Sequence, residues 1–362
     1  MNGTPHLHMT GYGAEETELI LTGSYTEPGQ TGGIRLYELN ERSGELTPLF
    51  EGGCSINPSF LALHDGKIIA VDEVGQDSRL ILYRWASGEK CLLPEDQLPV
   101  PGMSLCHIHP WPGTAYFTVS GYSSGSFLLC RLECGRLYLE REIFPGNDYF
   151  EPEFGGKTSH VHSTLLSPDG RYLYVADLGL DRIFRYGAGP GGLTVLEGIS
   201  PISFPCGEGP RHMVFSEDGR YLYVVTELKN HLFTFSIDED GNAKEQQELP
   251  VQRRLPSKEE AAGADIKISG DGRFVYASDR GPDTITQFAR SEENGGLRYI
   301  EEYHSGGHWP RNFCLSRSQR YLLAANERSG TLAVLARDPR TGSLSGPVSQ
   351  VPAPHISFVT TM

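Results

Sequence analysis

Apolar and polar residues alternate along this chain in short bursts, and the bursts come in pairs. Between Gly207 and Glu227, in GEGPRHMVFSEDGRYLYVVTE, an apolar run ending at Phe215 is followed by a Ser-Glu-Asp-Gly turn and a second apolar run. Runs of that length divided by a glycine turn predict two adjacent antiparallel strands. The pair recurs at 58–73, 106–121, 159–179, 264–280 and 310–327. Its turn residue is Gly66, Gly113, Gly170, Gly219, Gly272 and, in the last copy, Gln319, so successive turns lie 47, 57, 49, 53 and 47 residues apart. Between copies lie two more β-like runs, such as HLFTFSID (231–238), a DEDGN turn and AKEQQELP (243–250).

Four strands per period of about 50 residues predict the blades of a propeller. The chain ends complete the count. ELILTGSY (18–25) reads as a second strand with no first strand before it, followed by IRLYELN and ELTPLFE as third and fourth; PHISFV (354–359) has the shape of the missing first strand. The expected fold is therefore all-β, a seven-bladed β-propeller closed by pairing of the N- and C-terminal strands in one blade. It forms a single domain over 18–362 after a flexible leader at 1–17. Closure removes the exposed edge that an open array of blades would present. Runs such as YLYVV and FVYAS are apolar throughout because neighbouring blades cover both faces. The pairs Tyr172/Tyr174, Tyr221/Tyr223 and Phe274/Tyr276 are accordingly expected to pack between blades rather than to cage a ligand.

Composition narrows the partners. The 362 residues carry a formal net charge of −15 with no Lys/Arg-rich run, which excludes nucleic acid and anionic membrane as main partners. An anionic ligand must then meet locally placed arginines. The seven cysteines, at 54, 91, 106, 130, 134, 206 and 314, show no paired ligand frame; the close pair Cys130 and Cys134 reads as β-sheet residues, and the unpatterned count fits a reducing cytoplasm. No signal-like segment opens the chain, and no apolar stretch approaches the roughly 20 residues a membrane helix needs. His6 and His8 read as part of the leader rather than as a metal tail.

Counting from the turn residue gives the charged groups a shared address. Eight residues before it stand His162, Arg211 and Arg311; eight after it stand Glu227, Arg280 and Glu327, and Glu73 joins them if its repeat is one residue short. Both positions flank the open end of the hairpin, and the first strand of a blade lines the central channel. His162, Glu227, Arg211 and Arg280 are thus the candidate catalytic residues at one channel mouth. Arg311, His160, His212, Asp265 and Glu73 are the candidate substrate contacts, and Asp279 is expected nearby. Guanidinium groups around a carboxylate and an imidazole suit an anionic, oxygen-rich small molecule. The alternative for any one of these residues is a salt bridge that ties two blades together. His160 and His162 would place both rings on one face of a strand, but no third ligand accompanies them, so neither metal nor cofactor is expected. Asp177 and Asp181 read as loop-fixing residues, and His355 as either a structural partner or a ligand contact. No GxSxG elbow, P-loop, GxGxxG after a strand or HExxH is present, so covalent serine chemistry and those nucleotide and metal sites have no support.

The run HVHSTLLSPDGRYLYVADLGLDR (160–182), with GEGPRHMVF (207–215), TEL (226–228), ADI (264–266), DGRFVYASDR (271–280) and PRNF (310–313), resembles the seven-bladed propeller lactonases. The best-known type in that family is 6-phosphogluconolactonase, and fungal carboxymuconate cyclase is a relative. The resemblance covers 18–359. It implies metal-independent chemistry at the channel mouth, with the family histidine at His162, its GPRH arginine at Arg211, its glutamate at Glu227 and its DR arginine at Arg280. The chain departs from the usual pattern at SGY (120–122), VDE (71–73) and Gln319. The expected activity is hydrolysis of a sugar lactone, 6-phosphogluconolactone first, in the pentose phosphate route, with Glu227 or His162 as base. The competing readings are a muconate-type lactonising cycloisomerase and a non-catalytic propeller that binds a sugar acid or a protein. A Glu227–Arg280 pair across blades with no open pocket would favour the last.

Overall fold

In the computed structural model, which describes residues 16–148, 157–196, 199–253 and 261–362, seven antiparallel sheets stand around one axis. The leader positions 1–15, with His6 and His8, lie outside the described residues. Blade 1 has the strand order Ile356–Thr361, Thr17–Ser24, Ile34–Asn40, Leu46–Gly52, so the C-terminal strand is the innermost and closes the ring. Blades 2 to 7 begin with inner strands Leu61–His64, Leu105–Pro110, Val161–Leu166, Pro210–Phe215, Gly263–Ile268 and Pro310–Leu315. The first strand begins at Thr17, the last position assigned to the leader. Blade 4 departs from four strands: its outer edge is divided between Gly192–Val195 and Ile202–Ser203, both paired to Arg182–Gly189. A single helical turn, Pro145–Asp148, precedes that blade. Among the described residues no helix is long and apolar enough to cross a membrane.

The expected turns all form. Gly66, Gly113, Gly170, Gly219 and Gly272 lie at φ between 68° and 73°, and Gln319 adopts φ 61° in the sixth copy. A side chain is strained there. Gln319 offsets the strain through its amide, which accepts the Gly270 N–H of blade 6 at 2.8 Å.

The tyrosines pack as expected and also bond. The hydroxyls of Tyr174, Tyr223 and Tyr276 donate to the backbone oxygens of Gly241, Gly295 and Gly342 in the next blade at 2.6, 2.8 and 2.6 Å. Each bond satisfies a buried phenol that would otherwise oppose burial. Of the close cysteines, Cys130 is buried in a sheet, whereas Cys134 sits exposed in the following turn at φ 51°, not in a strand.

One irregularity recurs at the same height. In six blades the inner strand carries one extra residue near its mouth end: Ser357, Cys106, His162, Arg211, Arg311, and one between Gly263 and Ile266. A bulge of this kind bends the strand and re-aims a side chain. Here it sets up the channel mouth.

Candidate active site

Arg211, the bulge residue of blade 5, is 3% exposed and directs Nε to Glu227 Oε2 at 2.8 Å; its Nη1 donates to the Ala264 oxygen of blade 6. Glu227 follows the last residue of the adjacent strand, Tyr221–Thr226. Its other oxygen meets Arg280 Nη2 of blade 6 at 3.1 Å. The pair therefore does cross between blades, yet the mouth is not sealed. A cavity of about 440 Å³ opens over it, lined by Glu227, Leu228, Ala262, Arg280, Trp309 and Arg328.

The charge network continues around the ring. Arg311 Nε lies 3.6 Å from Glu327, and its Nη2 donates to the Tyr25 hydroxyl at 2.9 Å. That hydroxyl donates in turn to Glu73 Oε2 at 3.1 Å. Sequence counting placed Glu73, Glu227, Arg280 and Glu327 at one address but missed Tyr25 and Tyr122, which follow their second strands at the same height. Blade 1 has no preceding turn from which to count, and Tyr122 lies nine rather than eight residues after Gly113. Trp309 and Arg328 were missed as well. Arg328 stacks on the indole with its guanidinium carbon 3.3 Å from the ring centroid, and Arg280 lies 5.3 Å from the same centroid. Trp309 itself holds φ 70°, rare for a bulky residue, with its N–H on Asp283 at 2.7 Å; strain of this sort concentrates at ligand clamps.

His160 precedes its strand, so the same-face expectation for His160 and His162 does not apply. His160 instead stacks on Tyr122 at 4.5 Å and 14°, with Nδ1 facing the Tyr122 oxygen at 3.0 Å, while His162 meets the Tyr122 ring edge-on at 5.9 Å. The described residues whose ligand atoms do converge are Glu208, His231 and Glu248, in blade 5 and its loops; the Lys229 ammonium 3.7 Å from Glu208 counts against a cation there.

His212 and Asp265 lie deeper. Asp265 accepts from His212 Nδ1 at 2.7 Å, from Lys267, from Asn312 and from the Ile266 and Phe313 amides. A carboxylate offers about four lone-pair sites, so no site on Asp265 remains for a substrate. Asp279 ends the strand Phe274–Asp279 and ties down the adjoining loops, accepting the Ala262 and Gly281 amides and the Asn230 side chain. Asp177 fixes the loop after its strand through the His160 and Leu180 amides. Asp181 reaches Gly207 and Gly209 in the next blade. His355 pairs with Glu27 at 3.2 Å on the exposed rim.

Electrostatics give the two candidate bases opposite charge states and depress the proton affinity of both. Burial opposes ionisation of Glu227, but Arg211, Arg280 and Arg311 outweigh it and hold the carboxyl down at about 2. Burial lowers His162 well below the usual histidine range, and Arg211, His212 and Arg311 add to the shift. The first is an ion with little affinity for a proton; the second is a neutral imidazole with its Nδ1 buried and unpartnered. The same burial brings His109 and His212 to about 4 and lowers His107.

These four imidazoles make the fold acid-labile. Folded, they stay neutral; unfolded, they take protons from about pH 6.5 downward, so each loses about 1.4 kcal/mol of stabilisation per pH unit below that point until its folded pKa is reached. Glu18, pushed up by burial to about 7, acts in the opposite sense and recovers part of the loss. The expected result is a melting temperature at pH 5 lower than at pH 7.5 by about 10 °C. Calorimetry showing no change over that interval would contradict the neutral assignment.

Comparison with known proteins agrees with this architecture. The family model described as Lactonase, 7-bladed beta-propeller matches residues 19–361. A 6-phosphogluconolactonase of Formosa agariphila is 30% identical over 335 residues, covering 90% of this chain and 94% of that one. The 6-phosphogluconolactonase of Bacillus subtilis is 29% identical over 342 residues, covering 92% and 95%. Among solved structures, the periplasmic gluconolactonase of Pseudomonas aeruginosa superposes with a TM-score of 0.86 at 27% identity, covering 95% of this chain and 99% of that chain.

Proposed function

Because the chain belongs to the seven-bladed β-propeller lactonase family, we propose that its mouth hydrolyses 6-phosphogluconolactone to 6-phosphogluconate, a step of the pentose phosphate route. The observation that carries this reading is the ionised Glu227 clamped between Arg211 and Arg280 beneath an open cavity, with the neutral His162 close enough for the Arg211 charge to depress its pKa.

Each residue then has a task. His162 takes a proton from a water whose oxygen bonds to the lactone carbonyl carbon. Arg211 and Arg280, each with five N–H donors only partly used by protein acceptors, hold the oxyanion that forms. Glu227 fixes both guanidiniums in place and lowers the cost of gathering them. On collapse the ring C–O bond breaks, the ring oxygen recovers the proton from His162, and a hydroxy acid leaves. Arg328 and the far side of Arg280, stacked on Trp309, face the cavity where the substrate phosphate would lie, and Arg311 backs them. Tyr25 and Glu73 set the position of Arg311, and His160 holds the Tyr122 wall.

No metal enters this scheme. The net charge of −15 makes such a patch a local anion trap in an otherwise repelling surface. A cytoplasmic location is part of the proposal, and the seven unpaired cysteines fit it. The test of reaction class is an assay offering 6-phosphogluconolactone and a muconate-type diacid side by side. Turnover of the lactone with none of the diacid is the expected outcome, and the reverse would replace hydrolysis by lactonisation.

A further inference from the structure

Below the mouth the channel holds a cluster of imidazoles, of which the hydrolysis scheme uses His162 alone. His162 and His212 meet edge-on with ring centroids 5.2 Å apart, and His107 meets His212 at 5.4 Å. His162 and His212 are 5% and 7% exposed, and each has one buried nitrogen with no partner, Nδ1 of His162 and Nε2 of His212. Buried polar atoms are seldom left unpaired, and two such atoms in one polar channel mark a place for an ordered water.

The protonation pattern follows from Asp265. Its carboxylate only accepts, so the His212 nitrogen 2.7 Å away, Nδ1, carries the hydrogen. His212 Nε2 is then an acceptor. His107 accepts the Thr164 amide on Nδ1 at 3.5 Å and so keeps its hydrogen on Nε2. Around His162 stand Arg211, Arg311, His107, His212 and Tyr122; around His212 stand Arg211, Lys267, Asp265 and His107.

We propose that Asp265 and His212 are positioning residues for His162: Asp265 fixes His212 with Nε2 as acceptor, and one channel water donates to His212 Nε2 and accepts from His162 Nδ1–H, so that it pairs with the Nδ1–H form of His162. That tautomer leaves the Nε2 lone pair as the one that receives the proton of the attacking water, and the imidazolium so formed donates through the same water toward His212. The logic is that of a base oriented by a third group, assembled here from three blades. It also gives His212 and Asp265 a role other than substrate contact. The inference rests on the hydrolytic reading for its kinetic consequence but not for its structural one.

The structural consequence is tested on the unsubstituted full chain with nitrogen-15 labelled histidine. The His162 signals, assigned by their loss in His162→Gln, are expected to show a neutral Nδ1–H tautomer at pH 7.5; an Nε2–H tautomer overturns the proposal whatever the enzyme hydrolyses. The kinetic consequence is tested in His212→Phe, which removes the acceptor. There kcat is expected to fall 10- to 100-fold with KM within two-fold, and the acid limb of the pH profile to move, while His212→Gln, which keeps a distal acceptor, restores most of the loss. A His212→Phe protein with parental kcat and pH profile overturns it. A parent that hydrolyses no lactone but shows the Nδ1–H form refutes the hydrolytic reading and leaves the relay geometry standing.

Discussion

Arg211→Ala is expected to lower kcat for lactone hydrolysis by about 10²–10³-fold, the loss typical when a donor to a developing oxyanion is removed. Arg211 is the residue on which the mouth converges: it touches Glu227 and the Ala264 oxygen, and it depresses the pKa of His162. The fold should survive, because Glu227 keeps Arg280 at 3.1 Å and sits beside an open cavity where water can reach it. Folding is checked by circular dichroism and by the melting temperature, which should drop by no more than a few degrees. Arg211→Lys should recover only part of the activity, since an ammonium keeps the charge but not the planar fork. Near-normal turnover in Arg211→Ala would remove Arg211, and the scheme built on it, from the chemistry.

The second large effect concerns closure. Deleting residues 353–362 takes away the innermost strand of blade 1, with Ile356, Phe358 and Val359 all buried and Asn312 bonded to the Val359 amide at 2.9 Å. It also removes the bond from the Ser357 hydroxyl to the Ser59 oxygen in blade 2. Three large apolar side chains at about 2 kcal/mol each, before any backbone hydrogen bond is counted, amount to a large share of the roughly 5–15 kcal/mol that holds a domain folded. The strand Thr17–Ser24 would be left as an open edge facing the channel. Aggregation, or a melting temperature lower by more than about 10 °C, is the expected result. An unchanged melting temperature would mean that the ring does not depend on its seam.

Much of this was legible in the sequence because propeller blades repeat. Spacing alone located the sixth turn at Gln319, where no glycine marks it, and placed PHISFV beside ELILTGSY from opposite ends of the chain. The same counting brought His162, Arg211 and Arg311 together. What counting does not reveal is why they converge. The extra residue in six of the inner strands leaves no compositional trace, and for the same reason the HxH of His160 and His162 looked like a two-residue alternation. Tyr25 escaped because its blade is split between the termini. His107 escaped because CHIHPWPG reads as an ordinary strand until the neighbouring blades bring His162 and His212 against it. The charge states of Glu227 and His162 were equally out of reach, since they turn on how closely the arginines approach and how deeply each group is buried.

The most direct measurement is the hydrolysis of freshly generated 6-phosphogluconolactone beside unphosphorylated gluconolactone, each corrected for its spontaneous opening. The arginine-lined mouth predicts enzymatic turnover well above the spontaneous rate, with kcat/KM at least ten-fold higher for the phosphorylated lactone, since one charge-assisted contact contributes about 1.5–3 kcal/mol. No acceleration of either lactone by folded protein would contradict the account.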